Sequence, residues 1–195
     1  MKFSSTEQMN VTINIENVVA TGSLNKKINL NSIAKKFPDS KYNPDKFPGA
    51  VIKTDKPRST ILLFRNGSIV CTGTTSEKMA ENSLNYFVEK LQKTLRTEKM
   101  MLSDFKIVNI VSSCNMNNAI HLEEAARTLP RSIYEPEQFP GIIHRLIHPK
   151  TVILLFASGK LVCTGAKKTQ HIHESVNQFC HTLLEKDLFA FERNL

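Results

Sequence analysis

The chain has 195 residues, and at 22.0 kDa it can bury a sizeable core as one large domain or two small ones, so disorder is not the default. Lys and Arg number 26 against 18 Asp and Glu, a formal charge of +8 with a pI near 9.4, which favours anionic partners such as nucleic acid. No run approaches the roughly 20 apolar residues of a membrane span, the opening MKFSSTEQMN lacks the apolar centre of a secretory signal, and 4 cysteines without a C-x-x-C pair exclude a zinc ribbon and a secreted disulfide framework.

A soluble, intracellular protein is expected. MNVTINIENVVATGS, 9–23, is rich in Val, Ile and Thr with near alternation, which predicts a long strand. Asn29 or Asn31 caps a short helix running through Phe37, with Pro38 just past its end. GAVIKT, STILLFR and SIVCTG read as successive antiparallel strands, turned by Lys56-Pro57 and then by Asn66-Gly67, a favoured two-residue hairpin. From Ser76 as N-cap to Leu95, the stripe Met79, Leu84, Phe87, Val88, Leu91 and Leu95 predicts a long amphipathic helix. After a short connection, 96–101, the series returns. KIVNIVSSC is a strand, a helix starts near His121, Ser158-Gly159 fills the hairpin corner, and Thr169 to Leu188 is a helix with Val176, Phe179, Cys180, Leu183 and Leu184 apolar.

The return is a tandem duplication. KYNPDKFPGAVIKTDKPRSTILLFRNGSIVCTG, from Lys41, lies without a gap on IYEPEQFPGIIHRLIHPKTVILLFASGKLVCTG, from Ile133, an offset of 92 residues. The same offset pairs Asn17 with Asn109, Val19 with Val111, Leu30 with Leu122, Tyr42 with Tyr134 and Phe87 with Phe179. So long a period duplicates a whole supersecondary unit, unlike a solenoid repeat. The repeats are expected at 10–95 and 102–188, and the fold class is α+β: one continuous curved sheet with pseudo-twofold symmetry and helices on one side.

Strand alternation then exposes a problem. Ile61 and Leu63 face one way while Leu62 and Phe64 face the other; Ile69 and Cys71 oppose Val70 and Thr72; Ile153 and Leu155 oppose Leu154 and Phe156. Two long helices cover one side only, so a broad apolar face with basic edges is left for a partner, a second sheet or a dimer. The residue types favour the minor groove of DNA. Val, Leu and Thr methyls, Val162 among them, suit its sugar edges. Asn17 and Asn109, which share the parity of Val19 and Val111, and the hydroxyls of Thr72 and Thr164 can address adenine N3 and thymine O2, where a guanine amino group would intrude. Lys53 with Arg145, and Arg58 with Lys150, match across the repeat as a phosphate-contacting rim, with Lys160 beside the second hairpin tip.

YNP-x-x-F-P-G and YEP-x-x-FPG, the LLF-x-x-G-x-x-V-C-TG strand pairs, and the central ENVV and VNIVSSC strands together resemble the TATA-box-binding-protein family, over about residues 10–188. The resemblance implies a saddle-shaped ten-stranded antiparallel sheet with four helices on its convex side and DNA beneath the concave face. It implies four wedge phenylalanines, Phe47 and Phe64 in the first repeat and Phe139 and Phe156 in the second; alternation independently puts Phe64 and Phe156 on the uncovered face. It further implies TATA-type promoter recognition with DNA bending, nucleation of preinitiation-complex assembly, transcription factor IIB at Glu135, Glu137 and Gln138, transcription factor IIA on the first half, associated factors and the RNA polymerase machinery, and a nuclear location in a eukaryote. Free molecules are expected to be able to pair. Three positions depart from the family pattern: Ser68 where the second repeat has Lys160, with Arg65 as a substitute; Glu16 beside Asn17; and Gln138 at a usually apolar site.

No cofactor and no enzyme activity are expected. His144, His148, His171 and His173 lack the Cys or carboxylate spacing of a metal site, and Cys71 and Cys163 sit with the helix-side residues as small buried hydrophobes. Two other readings compete: a paralogous factor serving promoters without a TATA box, and a protein-interaction module reusing the duplicated sheet.

Overall fold

The computed structural model describes residues 11–97 and 100–190; the expected strand start at Met9 and Asn10 lies outside them, as does part of the expected connection. In chain order the elements are β1 (Thr12–Ser23), α1 (Leu30–Lys36), β2 (Ser40–Lys41), β3 (Gly49–Asp55), β4 (Arg58–Phe64), β5 (Ser68–Thr74), α2 (Glu77–Leu95), β6 (Ser103–Asn115), β7 (Ala119–Ile120), α3 (Leu122–Thr128), β8 (Ser132–Ile133), β9 (Gly141–Leu146), β10 (Thr151–Phe156), β11 (Lys160–Ala166), α4 (Thr169–Glu185) and β12 (Phe189–Ala190). Ten strands form one antiparallel sheet in the order β2-β3-β4-β5-β1-β6-β11-β10-β9-β8, and β12 pairs with β7 in a separate two-stranded sheet. The α+β, two-repeat, ten-stranded architecture with four helices is the expected one. By compactness the chain divides into Ile15–Ile110 and a unit from Val111 onward that takes in the strand residues up to Asn14.

In the first unit, Asn29 is the residue that caps α1: its side chain accepts the Ser32 N–H at 3.2 Å. Ser76 caps α2 by accepting from Met79 N–H at 3.1 Å. The helices cover one face of the strands. Ala50, Ile52, Ile61, Leu63, Ile69 and Cys71 are buried there against Leu84, Phe87, Val88 and Leu91, with Phe37 and Phe87 rings 6.0 Å apart. Each large side chain so buried is worth roughly 1.5–3 kcal/mol. Ala80 and Ser83 complete the buried stripe of α2, whereas Met79 and Leu95 are only half-buried at its ends. Beneath the sheet, the Ser59 hydroxyl bonds both Thr54, at 2.7 Å, and Ser83 of α2.

The second unit repeats the pattern. Ile142, Ile153, Leu155, Leu161 and Cys163 are buried against Ile172, Val176, Phe179 and Leu183, and Thr151 donates to Ser175 of α4 at 2.8 Å. His121 stands at the N-cap of α3 without a side-chain cap bond. α4 ends at Glu185, short of the expected Leu188. Asp187 adopts a left-handed conformation (φ 54°) and the Leu188 N–H bonds back to the Leu183 carbonyl at 3.1 Å, which reverses the chain. Leu188 is buried from the reversed segment that leads into β12.

The hairpin corners also differ from expectation. Strands β4 and β5 are joined by Arg65, Asn66 and Gly67, three residues and not two: Gly67 donates to the Phe64 carbonyl at 3.0 Å and alone has a positive φ, 89°. A type I turn closed by a left-handed glycine is the three-residue alternative to the Asn-Gly turn. The second repeat does the same through Gly159, φ 78°, bonded to Phe156 at 2.9 Å. The tertiary reason is a clamp. Leu24 N–H donates to Gly67 O and Ile28 N–H to Arg65 O, and a Cβ on Gly67 would stand 2.3 Å from the Lys26 carbonyl oxygen.

Candidate nucleic-acid interface

The face opposite the helices carries the residues expected there. Val19, Leu62, Phe64, Val70 and Thr72 are half-exposed while their strand neighbours Val18, Ala20, Ile61, Leu63, Ile69 and Cys71 are buried. Val111, Leu154, Phe156, Val162 and Thr164 alternate in the same way with Ile110, Ile153, Leu155, Leu161 and Cys163, and Asn109 precedes buried Ile110 on β6. In each repeat a row of apolar side chains is thus held on one face by strand geometry.

Asn17 has a second task. Between β1 and β5 the register slips, Val18 opposing Thr74 but Ala20 opposing Cys71, so Thr72 and Gly73 form a bulge. Asn17 Oδ1 accepts the Gly73 N–H at 2.8 Å and the Thr72 hydroxyl at 3.1 Å. The oxygen of the amide is therefore directed into the strand, and its Nδ2 hydrogens are the group offered outward. Thr72 departs from expectation: its proton is committed to Asn17, so in the free protein the hydroxyl presents lone pairs and does not donate. Glu16 lies by alternation on the side of Val18, away from Asn17, and does not intrude on this face.

The four phenylalanines form two matching pairs. Phe47 and Phe64 have ring centroids 5.7 Å apart at 62°, Phe139 and Phe156 5.7 Å apart at 60°, both edge-to-face. Phe64 and Phe156 end strands β4 and β10, whereas Phe47 and Phe139 come from turns in which their N–H groups donate to the Asn43 and Glu135 carbonyls. All four rings are half-exposed. Sequence reasoning passed over the seat beneath them. A Cβ on Gly49 would lie 2.8 Å from Phe47 and 3.0 Å from Phe64, and one on Gly141 3.0 Å from Phe139 and 2.8 Å from the Leu155 carbonyl oxygen. The Phe-Pro-Gly triplet in both repeats was the available signal.

Lys53, Arg58, Arg145, Lys150 and Lys160 are all exposed; Lys53 shares the strand parity of Val51, Arg58 of Leu62, Arg145 of Ile143 and Lys160 of Val162, while Lys150 stands in the turn before β10. Ser68 takes the place of Lys160 in the first repeat and Arg65 is exposed in the adjoining turn. Glu135, Glu137 and Gln138 are exposed on the turn that ends in Phe139.

Among the described residues no group of three or more His, Cys, Asp or Glu is placed to hold a metal ion. His144 is a core residue, 7% exposed, with Nδ1 2.9 Å from the Ser132 hydroxyl and its ring against Phe179. Burial, and secondarily the Arg131 charge, hold its pKa below the ordinary imidazole value. Burial likewise raises all four thiols, Cys163 to about 11 and Cys180 to about 12, which makes them poor nucleophiles.

Comparison with known proteins agrees with this geometry. Residues 12–94 and 104–186 each match the family profile described as transcription factor TFIID (or TATA-binding protein, TBP). The chain belongs to the TATA-box-binding-protein family. It is 43% identical over 175 residues to the TATA-box-binding protein of Pyrodictium occultum, covering 88% of this chain and 86% of that protein. It is 41% identical over 178 residues to that of Pyrobaculum calidifontis, covering 91% and 89%. The solved Methanococcus jannaschii TBP superposes with a TM-score of 0.77 at 32% identity, over 89% of this chain and 98% of that one. The family is one of non-enzymatic, DNA-binding transcription factors.

Proposed function

We propose that the chain binds A·T-rich duplex DNA in its minor groove at TATA-type promoters, bends it, and thereby nucleates assembly of the transcription machinery. The observation that carries this reading is the pair of phenylalanines, set edge-to-face at the same 5.7 Å in both repeats and left half-exposed at the end of an apolar strand face. Such a pair enters a base step as a wedge. Unstacking costs a few kcal/mol per step and is offset by contact along the widened groove, most readily at flexible TA steps. Asn17 and Asn109 supply amides for adenine N3 and thymine O2, Val19, Leu62, Val70, Thr72, Val111, Leu154, Val162 and Thr164 the groove surface, and Lys53, Arg58, Arg145, Lys150 and Lys160 the phosphate contacts.

The repeats at 10–95 and 102–188 are the functional units of this reading. Transcription factor IIB would dock on Glu135, Glu137 and Gln138, transcription factor IIA on the first repeat, with associated factors and polymerase following. In a cell with a nucleus the protein acts there; the relatives described above are archaeal. Without DNA, the apolar face favours self-association.

The test is anisotropy and end-to-end energy transfer on a TATA duplex and a G·C-substituted duplex, with wild type and Phe156→Ala across a salt series. TATA-selective binding with a bend, weakened roughly tenfold to 100-fold by Phe156→Ala, is expected, since one stacked ring is worth about 1–3 kcal/mol. Equal weak binding to both duplexes without a bend would overturn the reading.

A further inference from the structure

The two cationic rims are built differently at one position. In the first repeat, Val51, Lys53 and Asp55 alternate onto the apolar-face side of β3, and Asp55 stands directly across from Arg58 of β4, with Lys53 across from Thr60. A carboxylate therefore sits between the two cations proposed to meet phosphate. Among the described residues no ion pair within 4 Å ties it to either, and it is exposed, so its charge is presented to the surroundings. In the second repeat the equivalent residue is Ile147, 46% exposed, flanked by Arg145 and Lys150. The first repeat also has Ser68 where the second has Lys160.

We infer that Asp55 attenuates the affinity of DNA binding without reading sequence: it weakens the hold of the first repeat on the DNA backbone, so that the second repeat carries the larger share of the salt-dependent affinity. The inference rests on the DNA-binding reading above. Its physical basis is like-charge repulsion. A carboxylate about 7 Å from a phosphate is repelled at the level of a two- to threefold change in affinity in water, before screening. It also partly neutralises Lys53 and Arg58, lowering the counterion release that drives backbone binding.

The experiment measures affinity for one TATA duplex and one G·C duplex between about 50 and 200 mM salt, for wild type, Asp55→Asn, Asp55→Lys and Ile147→Asp, with Glu81→Gln as a control. Glu81 lies on α2 and is ion-paired with Lys78, and its substitution changes net charge by the same amount as Asp55→Asn. Asp55→Asn should tighten binding about threefold on both duplexes, and Asp55→Lys about tenfold with a salt slope steeper by about one. Ile147→Asp should weaken it about threefold, and Glu81→Gln should leave it within about 1.5-fold. Unchanged affinity in Asp55→Asn, or equal tightening in Glu81→Gln, would overturn the inference. Because phosphate contacts do not read sequence, these ratios are measurable even where TATA selectivity is absent, an outcome that counts against the promoter reading alone. Melting temperatures confirm that each exposed-site variant is folded.

Discussion

The two repeats agree where the backbone dictates and part company in their side chains, at the exposed rim and also within the core. Both set a phenylalanine pair at 5.7 Å, both turn the hairpin on a left-handed glycine, and both tie the long helix to the sheet through a buried hydroxyl, Ser59 to Ser83 and Thr151 to Ser175. Their rims diverge: Lys53, Asp55 and Arg58 against Arg145, Ile147 and Lys150. Their cores differ in side-chain size at several matched positions, such as Ala50 with Ile142 and Ala80 with Ile172, and most sharply in chemistry where buried Ile52 is matched by buried His144. A duplicated fold tolerates change of charge at its edge far better than change of shape at its turns, because exposed charges contribute little to stability while a displaced backbone costs packing throughout.

The sharpest way to break this equivalence is at the seats of the phenylalanines. Gly141→Ala drives its Cβ against the Leu155 carbonyl oxygen as well as Phe139, whereas Gly49→Ala meets only the edges of movable rings. Gly141→Ala should therefore cost about 1–3 kcal/mol of stability, and Gly49→Ala under about 1 kcal/mol while still shifting its ring pair. Denaturant melts paired with the bending assay separate the two; equal losses would show that the seats are not distinguished by backbone contact.

A smaller effect is expected at the first-repeat bulge. Asn17→Ala removes the acceptor of Gly73 N–H and the Thr72 hydroxyl and should cost about 1 kcal/mol. Asn17→Asp keeps both bonds but loses the outward donor, so it should melt as wild type and bind the TATA duplex more weakly. Loss of stability in Asn17→Asp would sink the division of labour assigned to this amide.

The smallest effect sharpens the difference between the cores. Since the folded pKa of His144 lies below the unfolded value, the neutral form is the one favoured by folding. Its contribution is fully present above about pH 6.5 and is lost as pH falls below that, because the unfolded chain then binds the extra proton. Melting temperature should drop by a few degrees between about pH 7.5 and 5.5, and His144→Ile, which installs the first-repeat residue, should flatten that part of the profile. An unchanged profile in His144→Ile would assign the pH dependence to other groups.

Most of the architecture was legible because period-2 and helical patterns were each written twice. STILLFR and TVILLF declared their two faces, and the stripe through Leu84, Phe87, Val88 and Leu91 declared its helix. Elements without periodicity were not legible: β2, β7, β8 and β12 are two residues each, too short for any pattern, and exist because a neighbouring strand offers free hydrogen-bonding groups. Phe64 and Phe156 could be placed on the open face from alternation, but Phe47 and Phe139 sit in turns where side-chain direction has no period.

Amino-acid order by itself determined the duplication, the strand faces, the helix stripes and the basic balance, since each depends on local spacing or plain charge. Tertiary structure decided that Gly67 closes a three-residue turn against Lys26, that the chain reverses after Glu185, that Asn17 spends its oxygen on a bulge, and that Asp55 faces Arg58 across a strand pair. The first and third depend on backbone groups of residues far apart in sequence, which meet only once the sheet has formed; the other two are local, and rest on the backbone conformation at Asp187 and at the two-residue turn of Lys56 and Pro57.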